Sequence, residues 1–369
     1  MRLLDRYLFR ELLTPLVFCL VGFQSFIIFV TVFSDAGKIQ EARLGFGQTI
    51  AYAAAASMEL LTIVIPVAML LALLMTLTNH ARYNELTAMR AAGISLWRIC
   101  IPYFIVGLIA AGAVFALNES VVPRCTDWAA RTLSHQSESR NGVSNFAFTN
   151  GRAHRKWVMR GYYRLGASEV PRPLVQWPLP DGSARILSAD KAVYTNGVWV
   201  FYNAQEFSQA DAPSMSVPIT QTNIPALAMP DFDETPDEIG REIKIARYFD
   251  LKGQNETIPV KDILGYLQWH PNISRGDRGK LLTDLQARIA MPVTCVVVAL
   301  IAIPFGAAPG RRNIFVGVAG SIFICLVYFV LQRVSLAFGS SGAWPAWLAA
   351  WLPNLFFGVS GLILMMRIR

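Results

Sequence analysis

Apolar residues gather in six long runs separated by short polar stretches, with one large polar interval after the third run. The runs cover 11–33, 52–77, 96–117, 289–305, 314–338 and 343–366. Most are long enough for a helix to cross ~30 Å of hydrocarbon. Pro66, Pro292 and Pro304 lie inside them. Membrane helices tolerate proline because neighbouring helices satisfy the freed carbonyl. From 119 to about 288 the pattern changes. Asn141-Gly142, Asn150-Gly151, Asp181-Gly182 and Asn196-Gly197 are tight-turn signals. Alternation over 156–165, 185–193 and 198–207 predicts strands, with a hairpin over 191–207 about Asn196-Gly197. The proline-rich stretch 166–180 fits no pattern. Residues 257–285 turn helical through Ile258, Val260, Ile263, Leu264 and Leu267.

The predicted fold is an α-helical membrane protein of six transmembrane helices in a 3+3 layout. It carries an inserted extracytoplasmic antiparallel β-domain, a sandwich, jelly roll or similar. The expected division is 1–118 for helices one to three, 119–286 for the β-domain and 287–369 for helices four to six. Between the second and third runs lies T-L-T-N-H-A-R-Y-N-E-L-T-A-M-R-A-A-G-I-S-L-W-R, residues 76–98. Its Ala, Leu, Met, Glu and Arg favour a short surface helix over about 79–95, with Asn79 as N-cap and Gly93 at its end. Leu86, Met89 and Arg90 follow Arg82 at helical spacing, so one face mixes apolar and basic groups. Such a helix is either a plain connector or a docking surface for a soluble partner.

Composition supports the membrane reading: 54% of residues are hydrophobic and only 16% charged, with mean hydropathy +0.40. The net charge of +8 is unevenly placed. Arg2, Arg6, Arg10, Arg82, Arg90, Arg98, Arg311, Arg312, Arg367 and Arg369 fall on one side of the six-run layout, against Lys38 and Arg43 in the short loops of the other. The positive-inside rule then puts both termini in the cytoplasm and the β-domain outside it. The charged start runs straight into a membrane-length run, so no cleavable signal is expected. No basic stripe interleaved with aromatics points to nucleic acid. Cys19, Cys100, Cys295 and Cys325 lie in or beside apolar runs and Cys125 stands alone, so neither a disulfide framework nor a CxxC site is expected. GxxxxGK[ST], HExxH and GxSxG are absent, and His80, His135, His154 and His270 are scattered. With no catalytic constellation, no cofactor and no metal expected, energy for any work would come from a partner or an ion gradient.

The chain resembles the LptF/LptG permeases of the lipopolysaccharide-export ABC transporter over nearly its whole length. The resemblance rests on D-R-Y-L-F-R-E (5–11), I-P-V-A-M-L-L-A-L-L (65–74), N-E-L-T-A-M-R-A-A-G-I-S (84–95), L-L-T-D-L-Q-A-R-I-A-M-P (281–292) and W-L-A-A-W-L-P-N (347–354), in that order and spacing. It implies a non-catalytic permease of the inner membrane, paired with its paralogue and served by two copies of the ATPase LptB. The expected work is extraction of lipopolysaccharide and delivery through a β-jellyroll domain toward LptC and the periplasmic bridge LptA. The strings at 118–123 and the end of the fifth run lean to LptG, and 73–77 to LptF; the balance is LptG, with LptF as paralogue.

The resemblance also assigns roles. Glu85 is expected to meet basic groups on the ATPase, with Arg82, Met89 and Arg90 sharing the interface. Pairing of Glu85 with Arg82 or Arg90 is the plainer alternative. Lys38 and Arg43, after the first run, are expected near substrate phosphates, where lysine acts as a point charge and arginine as a bidentate grip. Their alternative is snorkelling to headgroups. Arg333 in the fifth run is expected to line the lipid cavity, and Glu59 to be structural. Two other functions compete: an ion-gradient-driven lipid transporter, which would need midplane acids in discontinuous spans, and a membrane-anchored scaffold with a periplasmic binding domain. Co-purification of a P-loop ATPase separates them.

Overall fold

The computed structural model of the protein describes residues 3–133, 142–143, 146–151, 153–161, 163–164, 166–178, 184–209, 222–250, 258–270, 273–306 and 314–367. The chain forms two compact units, Met1–Ala129 with Arg275–Arg369, and Ala130–Ser274.

The first unit is helical. Its elements are α1 (Leu3–Ser34), α2 (Ala36–Glu41), α3 (Phe46–Ala56), α4 (Met58–Arg82), α5 (Glu85–Ala91) and α6 (Leu96–Ala116). A π-helical turn (Leu117–Val121) then leads into α7 (Val122–Leu133). After the second unit come α10 (Arg275–Gly306), α11 (Ile314–Ser340) and α12 (Ala346–Arg367). Among the described residues, six helical segments are long and apolar enough to cross a membrane. Leu8, Leu12 and Leu16 recur at i+4 and bury one stripe of α1. That stripe packs in one core with Leu73 and Leu77 of α4, Tyr103 of α6 and Val298 of α10. Large apolar side chains elsewhere on α1 are exposed, including Phe18, Phe26, Phe29 and Phe33, as expected of a surface facing lipid or another subunit.

Close helix approach needs small residues where no solvent drives burial. Gly339 of α11 is one: a Cβ there would sit 2.5 Å from the Ala349 Cβ of α12. Polar groups bind these two helices to α10. Asn354 Nδ2 donates to the Ala290 carbonyl at 2.7 Å, and the Tyr328 hydroxyl donates to Asn354 Oδ1 at 2.9 Å. Thr294 Oγ1 lies 2.7 Å from the Tyr328 hydroxyl.

Several sequence expectations are corrected here. The second run is not one helix: it breaks at Ser57, whose hydroxyl donates to the Ala54 carbonyl at 2.9 Å and accepts from Gln24 Nε2 at 2.7 Å. The third does not stop at Asn118-Glu119. The π turn there absorbs Pro123, which cannot donate to the preceding turn, and the helix goes on as α7. The fourth begins at Arg275, so polar residues before the apolar run belong to the same helix, Gly276 and Gly279 among them. The short stretch between the first and second runs, expected as the loop that carries Lys38 and Arg43, contains α2.

The second unit is an antiparallel half-barrel followed by helices. Its strands are β1 (Gly142–Val143), β2 (Phe146–Asn150), β3 (Arg155–Met159), β4 (Tyr163–Arg164), β5 (Glu169–Pro171), β6 (Pro173–Pro178), β7 (Ala184–Ser188), β8 (Lys191–Thr195), β9 (Val198–Gln209) and β10 (Thr222–Met229). Then follow α8 (Pro236–Asp250) and α9 (Val260–Trp269). The main sheet runs β2-β3-β6-β7-β9-β8-β5, with β10 also on β9; β1 pairs β4. The long β9 holds β7 along its second half and β8 along its first, with β10 on its other side. The expected hairpin is present: Asn196 and Gly197 have φ of 53° and 83°, as a type I′ turn requires.

The expected single strand over 185–193 is two strands bent at Ala189-Asp190. A crease crosses the sheet there. Arg172 (φ 43°) donates its N–H to the Asp190 carbonyl at 2.9 Å, and Asn203 (φ 51°) bonds the Asp190 carboxylate through Nδ2 at 2.9 Å. Alternation persists through the bend, which is why it reads as one strand. The unplaced stretch 166–180 supplies β5 and β6. Its prolines Pro171, Pro173 and Pro178 stand at strand ends, where a missing donor costs least. The strand expected over 156–165 is split into β3 and β4.

The core of this unit is aromatic: Trp157 lies 5.6 Å from Trp199 and 5.7 Å from Phe232 between ring centroids. Trp199 Nε1 donates to the Glu234 carbonyl at 2.5 Å, tying the chain after β10 to the sheet. The Glu234 carboxylate is buried, and accepts from Asn150 Nδ2 at 2.8 Å and Arg155 Nη1 at 3.1 Å. Burial pushes its pKa up, against the opposing pull of Asn150 and Arg155. Burial likewise raises the Tyr163 hydroxyl to about 12, with Asp237 adding to it.

Candidate functional site

The connector is shorter than expected. Asn79 lies inside α4, which runs on to Arg82 because His80 is buried and keeps the helix packed. The break comes at Tyr83-Asn84, where Asn84 adopts φ 58°. Only Glu85–Ala91 form α5. Its end is where Gly93 predicts it. Gly93 has φ 82°, its N–H donates to the Arg90 carbonyl at 3.0 Å, and the Ile94 N–H donates to Met89 at 3.1 Å. This pair of bonds is a Schellman motif, which needs a left-handed residue that glycine supplies without strain. Leu86 is buried and Met89 half-buried, both against the helical core. Arg82 and Arg90 are exposed. Arg82 belongs to the last turn of α4 rather than to the connector, with its guanidinium 5.9 Å from the Tyr83 ring centroid.

Glu85 does not take Arg82 or Arg90 as its partner. Its Oε2 accepts from the Tyr7 hydroxyl of α1 at 2.9 Å and lies 2.6 Å from His80 Nδ1 of α4. The ring of Tyr7 stands 5.8 Å from that of His80. The His80 side chain is 3% exposed and that of Glu85 37%. A carboxylate only accepts, so His80 donates from Nδ1. One turn of α1 also carries Asp5, whose Oδ2 accepts from Arg98 Nη2 of α6 at 2.8 Å. The foot of α1 is thus bonded to α5 and α6, and through Glu85 to α4.

The far end of α1 is different. Lys38 on α2 has its Nζ 2.5 Å from Asp35 Oδ1, and its side chain is 54% exposed. The Tyr52 hydroxyl of α3 donates to Asp35 Oδ2 at 2.8 Å. Arg43 sits exposed in the turn before α3, at φ 47°. Arg333 is exposed on α11 and has no ion pair among the described residues. Lys38 and Arg43 share one short segment, while Arg333 lies on another helix. Arg311, Arg312 and Arg369 lie outside the described residues.

Tyr7 and His80 were missed as members of the site. A tyrosine hydroxyl at the start of an apolar run and a histidine five residues before a glutamate were the available signals. No group of His, Cys, Asp and Glu suited to hold a metal occurs among the described residues.

Six membrane-length helices and an inserted half-barrel define a multi-pass membrane protein. The chain belongs to the LptF/LptG family: the family model described as "Lipopolysaccharide export system permease LptF/LptG" matches residues 6–367. It is a permease subunit of lipopolysaccharide export, non-catalytic, with ATP hydrolysis carried out by a partner. No curated protein matches the chain.

Proposed function

We propose that this chain is one half of a paired permease, LptG-like beside an LptF-like paralogue, in the bacterial inner membrane. Two LptB ATPases bind on the cytoplasmic side, where both termini also lie. The half-barrel stands in the periplasm and hands lipopolysaccharide toward LptC and LptA. The match of the family model to residues 6–367 carries this reading. The arginine asymmetry of the sequence supports the orientation.

In this reading α5 is the docking element, with Glu85, Met89 and Arg90 at the interface and Arg82 at its edge. A partly exposed carboxylate on a short helix between two spans suits a basic groove on an ATPase, where charge-assisted bonds are worth ~1.5–3 kcal/mol. At the other end, Lys38 and Arg43 receive lipid A phosphates, and Arg333 faces the shared cavity. Lys38 must exchange Asp35 for phosphate. An exposed ion pair is worth only ~0–1 kcal/mol, so a phosphate in a partly dehydrated mouth outcompetes it. The experiment is purification of the chain with its partners followed by reconstitution: an ATPase should co-purify, and ATP should drive lipopolysaccharide release. A chain that purifies without any ATPase and moves lipid on an ion gradient alone refutes the proposal.

A further inference from the structure

We propose that Tyr7 and His80 are positioning residues for Glu85, and that they carry displacement of the connector into the first two spans. The inference rests on the docking role of Glu85 given above. Both groups hold the same oxygen, Oε2, from two different helices. Oε1 has no partner among the described residues, and more than a third of the side chain is open to solvent. One oxygen is therefore fixed inward while the other remains for a partner's cation. His80 is buried, so its ring cannot follow Glu85 outward without moving α4.

The consequence is mechanical. A force on Glu85 reaches α1 through the Tyr7 hydroxyl and α4 through the imidazole, each by one hydrogen bond. Leu86 and Met89 anchor α5 to the helical core by apolar contact alone, which tolerates sliding. The directional bonds are the ones that transmit. Asp5, one half-turn from Tyr7, adds the bond to Arg98 at the start of α6. A shift of the foot of α1 is thereby shared with the next span.

The test uses the assembled transporter in proteoliposomes and measures lipopolysaccharide released per ATP hydrolysed, normalised to co-purified ATPase. Tyr7→Phe removes one hydroxyl and no packing. His80→Leu removes the donor, and His80→Asn keeps a donor at the same position on the side chain. Tyr7→Phe and His80→Leu should each lower the ratio about fivefold, the size expected from one lost hydrogen bond, and His80→Asn should recover most of it. In a Glu85→Ala background, Tyr7→Phe should add nothing, since it acts through Glu85. Ratios within about twofold of the unaltered protein for both Tyr7→Phe and His80→Leu, with Glu85→Ala impaired, overturn this inference while leaving the docking role standing. An unimpaired Glu85→Ala overturns the docking role and this inference together. A loss of complex in proportion to a loss of folded protein, with the ratio unchanged, would assign Tyr7 and His80 to stability alone and also overturn the inference.

Discussion

The two ends of the first span are built on opposite plans. At its foot, every named bond is long-range: Tyr7 to Glu85, and Asp5 to Arg98. At its far end the partners lie closer in sequence, Lys38 three residues from Asp35 and Tyr52 of α3 17 residues from it. Long-range bonds fix one helix relative to others. Short-range bonds tie only neighbouring elements of one segment, and the exposed Lys38 pair can be exchanged without disturbing the bundle. A permease needs both properties, a rigid end to receive force and an adaptable end to meet a lipid. The same polar chemistry, carboxylate with phenol and cation, serves both because sequence separation decides what it constrains.

The largest expected effect lies at the foot. Glu85→Ala removes the acceptor for Tyr7 and His80 and the group proposed to meet the ATPase. Lipopolysaccharide release per ATP in proteoliposomes should fall about tenfold or more, as loss of a charge-assisted bond implies. At the far end, Lys38→Glu should weaken lipopolysaccharide binding about fivefold to tenfold, measured by crosslinking yield, with Lys38→Arg milder. Asp35→Asn sharpens the contrast. It removes the charge opposite Lys38 and keeps an amide oxygen for the Tyr52 hydroxyl, so it should change bundle stability little and leave binding equal or slightly stronger.

A smaller effect is expected away from both ends. Asn354→Leu strips acceptors and donor from Thr294, Tyr328 and Ala290, and should cost ~1–3 kcal/mol of stability, read as a lowered melting temperature in detergent. The smallest concerns the half-barrel. The folded pKa of Glu234 lies above its ordinary value of 4.5. The folded state therefore binds this proton more tightly than the unfolded state. Its contribution is fully present below pH 4.5 and is lost as pH rises through the raised value. Glu234→Gln should flatten that stretch of the stability profile, followed by hydrogen exchange in the peptide spanning 230–240.

Much of this architecture was legible from pattern. Apolar runs disclosed the spans because lipid demands continuous helices, and Asn196-Gly197 disclosed the β8–β9 hairpin because few other dipeptides take its backbone angles. α8 was missed although Thr235-Pro236-Asp237-Glu238 carries a cap signature. Thr235 N–H donates to Glu238 Oε2 at 2.8 Å, and Glu238 N–H to Thr235 Oγ1 at 3.3 Å. β5 and β6 were illegible because proline breaks alternation even where it sits harmlessly at strand ends. At the candidate site, the bond between Tyr7 and Glu85 is not legible in the sequence, since no local period links positions 78 residues apart. The connector was drawn too long because Asn79 has a capping side chain, while burial of His80 kept the helix going past it.

Placing a photoreactive residue at position 38 and, separately, at position 85 in the assembled transporter tests the contrast between the two ends most directly. The account predicts lipopolysaccharide adducts at 38 and ATPase adducts at 85. Lipid captured along other helices but never at 38, or an ATPase never captured at 85, would contradict it.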